Sequence, residues 1–186
     1  MKGIVFREFI DMVESQFSPE TADAIIEASS LSTNGAYTTV GTYPHQEMVD
    51  LVSNLSEHTG QPVPDLLKHF GRHLFGRFVE IHPNFTNAFT DVFSLLGALE
   101  HTIHVDVSKL YRDAEVPSFE YELDEQQQMS FVYRSRRRMA DFAHGLIEGC
   151  IAHFNEPMTI HRSDLPDQGD EALTRFVLVR ATHGNA

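Results

Sequence analysis

Tyr133-Arg134-Ser135-Arg136-Arg137 puts two hydroxyls and a guanidinium at alternate positions, after a run that itself alternates like a β-strand. Alternate residues of a strand share a face, so Tyr133, Ser135 and Arg137 are expected to converge. An arginine presents a planar fork of donors and the hydroxyls add more, a combination suited to carboxylates. Arg134, Arg136, Arg137 and Arg138 crowd together in a chain of formal net charge -13. The residues alone leave three readings open. Short arginine runs are usually solvated faces. A nucleic-acid patch is the second, and the overall acidity weighs against it. A carboxylate-binding surface is the third.

The eleven histidines are the next source of chemistry. His101 and His104 lie three apart on an apolar helical stretch, so they project from neighbouring turns. His104 borders Leu96, Ile103 and Val107. It reads either as a boundary residue or as a neutral imidazole ligating iron in an apolar pocket. Gly97, about two turns earlier, would let a flat group lie against the helix. His69 and His73 have an i, i+4 spacing that suits zinc, but no third ligand follows, so they read as surface residues. Cys150 shares a stripe with Leu146 and Phe154 and reads as a small buried hydrophobe. There is no G-x-S-x-G, no G-x-x-x-x-G-K-[ST] and no G-x-G-x-x-G, and no nucleophile–base pair is evident.

The elements that must position these groups follow from length and periodicity. A chain of 186 residues, 41% hydrophobic, is expected to form one domain or two packed subdomains. No apolar run approaches the ~20 residues of a membrane span, and early charges argue against a secretory signal. One cysteine excludes an internal disulfide, and the cytoplasm is the expected compartment. Apolar spacing predicts helices over 4–17, 19–29, 44–58 and 64–83, and one long helix over 84–110. Leu31 to Tyr43 reads as loop. Phe119, Tyr121 and Leu123 alternate, as do Phe131 and Tyr133, around a polar turn at 124–128, which predicts a hairpin. Met139 to Phe154 reads as helix. Strands are expected at 157–161 and 175–182, around an acidic loop over 163–171. Helices first, then strands with one late helix, argue for an α+β fold. The expected division is a helical subdomain over 1–62 and, over 63–186, the long helix with a small antiparallel sheet.

A histidine on a long apolar helix, a proline-containing segment after it and Y-x-S-x-R on a following strand together resemble the H-NOX family, the haem nitric oxide/oxygen binding domains. The likeness covers essentially the whole chain. Met1-Lys2-Gly3 is similar to the family's N-terminus. His104-Val105-Asp106-Val107-Ser108-Lys109-Leu110-Tyr111, then Val116-Pro117-Ser118-Phe119, is similar to its proximal-histidine segment. Gly145-Leu146-Ile147-Glu148-Gly149 is similar to the helix behind the haem. The resemblance implies His104 as axial iron ligand of haem b. It implies Tyr133, Ser135 and Arg137 as holders of the propionates, and Pro117 as a residue pressed on the porphyrin. It implies a distal wall of Val5, Phe9, Leu74, Phe78, Phe142 and Leu146. Many relatives place a proline after the tyrosine where this chain has Arg112. Several carry a cysteine-containing zinc site near the C-terminus; His161 has no cysteine partners here, so no zinc is expected.

Oxygen-binding relatives place a tyrosine at the position of Phe142. The six distal residues lack a polar hydrogen, so the expectation is a sensor of nitric oxide, with carbon monoxide a second candidate gas, and no useful oxygen binding. Signalling is expected through release of His104 to a separate protein such as a histidine kinase or a cyclic-di-GMP enzyme, with no enzyme activity of its own. The alternatives are an oxygen-binding or haem-enzyme role, a haem-free interaction domain, and a thiol sensor acting through Cys150.

Overall fold

The computed structural model describes residues 1–82, 86–99, 118–123 and 128–181, with the backbone alone over 119–123. Helix α1 (Gly3–Gln16) buries Phe6, Phe9, Ile10, Met12 and Val13, the apolar positions of one helical face. Ser18 caps α2 (Pro19–Ala28): its Oγ accepts from the Thr21 N–H at 3.1 Å, and Pro19 occupies the first turn. Helix α3 (His45–Thr59) turns Met48, Leu51, Val52 and Leu55 inward and ends at Gly60, whose φ of 72° suits glycine. Helix α4 (Val63–Ile81) adds Leu66, Phe70 and Leu74 to the same core.

Beyond α4 a second core forms. Phe75 of α4 joins Val92, Phe93, Leu95 and Leu96 of α5 (Val92–Gly97), Ala143, Ile147 and Cys150 of α6 (Ala140–Phe154), and the inner face of the sheet. Helix α4 therefore serves both cores, although the expected subdomain boundary falls just before it. Helices α4 and α6 cross at close range. A Cβ on Gly71 would meet the Phe142 carbonyl oxygen at 2.3 Å, so the contact requires glycine there.

The strands β1 (Ser118–Leu123), β2 (Gln128–Ser135), β3 (Met158–Gln168) and β4 (Glu171–Arg180) form one antiparallel sheet in the order β1-β2-β4-β3. The fold is thus α+β, with helices ahead of a small sheet, as the order of patterns predicts. Strand β2 alternates strictly: Met129, Phe131, Tyr133 and Ser135 face inward.

Two expectations need correction. The helix predicted over 84–110 is broken within its described part. Asp91 starts α5 afresh, accepting from the Ser94 N–H at 2.7 Å in a capping box. The acidic loop expected over 163–171 is mostly strand, with β3 reaching Gln168 and β4 starting at Glu171. Its polar side chains are largely exposed because β3 is an edge strand, so no apolar alternation marks it. Pro166 is tolerated there, beside the irregularity between Leu165 and Gln168.

Candidate functional site

The end of β2 and the turn into α6 assemble the hydroxyls expected to share a face. Tyr133, opposite Thr174 in the ladder, and Ser135, opposite Ala172, are both buried. Burial pushes the Tyr133 phenol up, against the pull of the Ser135 side chain, the Arg137 charge and the Met139 backbone. The phenol therefore stays protonated at neutral pH and remains a donor. Arg137 is a correction: β2 stops at Ser135, so Arg137 sits in the following turn rather than on the strand. The Ser135 Oγ accepts from the Arg137 N–H at 3.1 Å, which ties that turn back to the strand end. Tyr133, Ser135 and Arg137 are thus neighbours, by a turn rather than by alternation.

The rest of the arginine run has partners within the chain. Arg138 reaches Asp167 at 2.6 Å, Arg136 reaches Asp170 at 3.1 Å, and Arg134 bonds Gln168 and lies 4.0 Å from Glu171. The acidic end of the β3–β4 hairpin is the counter-charge that the sequence left unidentified.

The six residues expected to form an apolar wall come from α1, α4 and α6. Phe9 and Leu74 are fully buried in the first core; Val5, Phe78, Phe142 and Leu146 are partly buried against it, and Leu146 also touches the second core. Phe70, absent from the expected set, links them. Its ring lies 5.1 Å from Phe9 edge-on and 5.1 Å from Phe142 at a tilt of 30°. The close α4–α6 crossing at Gly71 and Gly145 also escaped the sequence reading, although Gly145 belongs to a segment that carries the family resemblance. Glycine in mid-helix was the signal available.

His104 and Pro117 lie outside the described residues. His69 and His73, expected at the surface, are instead half-buried against α1. His69 bonds the Gln16 side chain, and His73 Nε2 lies 3.9 Å from the buried Glu8 carboxylate. Glu8 also accepts from Arg77 Nε at 2.8 Å. Burial pushes the His73 imidazole below its ordinary value, with Glu8 opposing and Arg77 and His69 reinforcing. Among the described residues no group of three His, Cys, Asp or Glu could hold a metal ion. Cys150 is fully buried and burial pushes its thiol up to about 12.

Chemically, a buried phenol, a hydroxyl and a guanidinium suit a pair of carboxylates, and half-buried apolar side chains from three helices suit the face of a flat apolar ring system. Those residues fit a haem. A family model for haem-NO-binding proteins matches residues 2–162.

The chain belongs to the haem-NO-binding, or H-NOX, family.

Solved H-NOX structures agree. An Fe(II) unliganded H-NOX protein from K. algicida is 36% identical, with 98% of each chain covered and a TM-score of 0.90. The H-NOX from Shewanella woodyi, bound to IWP-051 in the Fe(II)CO state, is 38% identical, with 100% of this chain and 97% of that chain covered and a TM-score of 0.83. An H-NOX protein from S. oneidensis in the Fe(II)NO state is 27% identical, with 96% and 99% covered and a TM-score of 0.84. No curated protein sequence matches the chain. The H-NOX domain is a haem-binding gas sensor and not itself an enzyme. Among the described residues no helix is long and apolar enough to cross a membrane.

Proposed function

We propose that this H-NOX domain senses nitric oxide and does not bind oxygen usefully. The observation that carries the proposal is the makeup of the wall formed by Val5, Phe9, Leu74, Phe78, Phe142 and Leu146. None of these side chains has a polar hydrogen. When bound, haem b would supply a ferrous iron able to bind a diatomic gas. Oxygen binding draws on a distal hydrogen-bond donor. One such bond is worth about 0.5–1.5 kcal/mol net, so its absence lowers oxygen affinity by about 2- to 13-fold, and by more where the acceptor is polarised. Nitric oxide, and secondarily carbon monoxide, are far less dependent on that donor.

The chain's own residues divide the remaining work. Tyr133, Ser135 and Arg137 hold the two propionates, the phenol and guanidinium donating and the buried position excluding water. When haem is bound, His104 would be the residue that ligates its iron, and Pro117 would be the residue that packs against the ring. Release of His104 on nitric oxide binding would be the event that biases the helical front against the sheet-bearing rear. A separate protein in the cytoplasm, a histidine kinase or a cyclic-di-GMP enzyme by analogy with the family, reads that change.

The test is the visible spectrum of the reduced protein, recorded alone, then with nitric oxide, then in air. The proposal expects a haem band, a shift with nitric oxide that reports loss of the histidine, and no stable oxygenated form. A colourless protein despite ample haem, or a stable oxygenated spectrum in air, would overturn it.

A further inference from the structure

Arg138, in the turn between β2 and α6, holds a backbone conformation that its residue type avoids. Its φ is 53°, in the left-handed region. Among the described residues the other non-glycine positions with positive φ are Asn34 and Asn155, and asparagine tolerates that region well. Arginine has no such tolerance. A residue kept in this state against its preference marks a place where the surrounding structure over-determines the backbone.

The surroundings of the turn show what fixes it. At its start the Ser135 Oγ accepts from the Arg137 N–H at 3.1 Å. At its end Met139 is buried in the first core, and its carbonyl accepts from the Ala143 N–H at 3.1 Å as α6 begins. Between them the Arg138 Nη2 lies 2.6 Å from Asp167 Oδ2. Both side chains of that pair are about half exposed, so it contributes little to stability. The turn is therefore held by its backbone and by Met139, with the arginine side chain lying outside.

The Met139 backbone also reaches Tyr133. It pulls the buried phenol down, which is the action of a donor to the phenol oxygen, and the Ser135 side chain pulls the same way. A carbonyl would act in the opposite sense, so the group on the phenol is the Met139 N–H. A hydroxyl that accepts hydrogen bonds becomes a stronger donor in turn, because bonds in a chain polarise one another. The direction of the Met139 N–H follows the planar peptide between 138 and 139, and so follows the backbone angles of Arg138.

We infer that Arg138 is a positioning residue for Tyr133: its left-handed backbone turns the Met139 N–H onto the phenol oxygen and so orients the phenol to donate to a carboxylate. The role lies in the backbone of Arg138 and not in its charge. It rests on Tyr133 as a holder of the haem propionates.

The experiment uses the haem-loaded, reduced protein and its Arg138→Gly, Arg138→Asn, Arg138→Ala and Arg138→Val variants, the last two again in a Tyr133→Phe background. Hydrogen exchange reads the Met139 amide, resonance Raman spectroscopy reads the propionate-bending bands, and transfer to excess apo-globin reads the rate of haem loss. Glycine and asparagine accept the left-handed conformation, and a β-branched side chain resists it most. Arg138→Val is therefore expected to speed Met139 exchange, shift the propionate bands and release haem several-fold faster. Arg138→Gly and Arg138→Asn are expected to stay close to the parent. Arg138→Ala is expected to fall between them, and carries the test if Arg138→Val fails to fold. In the Tyr133→Phe background the added effect on haem loss should largely disappear, because the oxygen it acts through is gone. Haem loss as fast in Arg138→Gly and Arg138→Asn as in Arg138→Val would mean that the charge acts, and would overturn the inference. Full additivity with Tyr133→Phe would overturn it as well. Tyr133→Phe alone separates the two claims: if it alters neither the propionate bands nor haem loss, Tyr133 does not hold a propionate and the site reading fails, whereas an effect of Tyr133→Phe beside an indifferent Arg138→Val defeats the positioning role alone.

Discussion

Gly145 meets the Lys68 carbonyl with no room to spare: a Cβ at Gly145 would lie 2.0 Å from that oxygen. The contact sets the closeness of α4 and α6, and through it the spacing of Leu74 and Phe78 from Phe142 and Leu146. Gly145→Ala would gain about 1 kcal/mol of helix propensity, but the clash is with backbone and cannot rotate away. Overpacking of this kind costs about 1–3 kcal/mol, so the variant is expected to be net destabilised. Urea unfolding checks it, and an unchanged midpoint would show that the helices can part freely.

The carboxylate grip predicts graded haem loss. A hydrogen bond to a charged group contributes about 1.5–3 kcal/mol and a neutral one about 0.5–1.5. Arg137→Ala should therefore release haem roughly 10- to 100-fold faster, at 1.4 kcal/mol per factor of ten. Tyr133→Phe should have a smaller effect of the same sign. The rate of haem transfer to an excess apo-globin acceptor measures both. Equal rates for Arg137→Ala and the parent would remove Arg137 from the site.

Phe142 packs at a tilt on Phe70, and Phe142→Tyr adds one O–H to an otherwise apolar wall. Oxygen affinity is expected to rise several-fold, enough to make an oxygenated spectrum more persistent in air. A variant that oxidises in air as fast as the parent would show that the hydroxyl does not reach the gas.

His104→Gly should abolish the iron–histidine bond, and added imidazole should restore the visible spectrum while leaving the iron untethered to the chain. Nitric oxide should then bind without the conformational change of the parent, followed by limited proteolysis. If the change persists with free imidazole as the axial ligand, signalling does not run through the tether.

Acid should weaken the fold from a value near neutrality. His69, His73 and His144 all titrate below their ordinary 6.5, burial being the largest cause in each case. The unfolded chain thus binds protons that the folded one refuses, so stability rises with pH in this range. The contribution is fully present above 6.5 and is lost as pH falls through the lower folded values. Urea midpoints on either side of 6.5 measure the slope, and His73→Asn should flatten it. A slope of opposite sign would mean that the pairing of His73 with Glu8 outweighs its burial.

The helical front was legible because each helix buries one face: Phe6, Phe9, Met12 and Val13 carry the period of α1 in their spacing. The break before α5 was harder. Asp91 and Ser94 form a readable capping pair, but Phe89, Val92, Phe93 and Leu96 keep a helical period across it, and the apolar signal dominates a single cap. Strand β3 beyond Ser163 leaves no alternating signature because both its faces carry polar residues; only its partner β4 defines it. At the site, residue types and spacing foretold that Tyr133, Ser135 and Arg137 would be neighbours, while the turn that carries Arg137 depends on a Ser135 hydroxyl accepting from backbone, which spacing alone does not reveal.

Cys150 has one more consequence. The oxidation products of nitric oxide can nitrosate sulfur, but the thiolate is the reactive form, and a group pushed to about 12 inside the core holds almost none of it at neutral pH. This chain has no second sulfhydryl. Oxidants and nitrosating agents therefore find almost no reactive thiolate on this chain, so a response to them would have to run through another group.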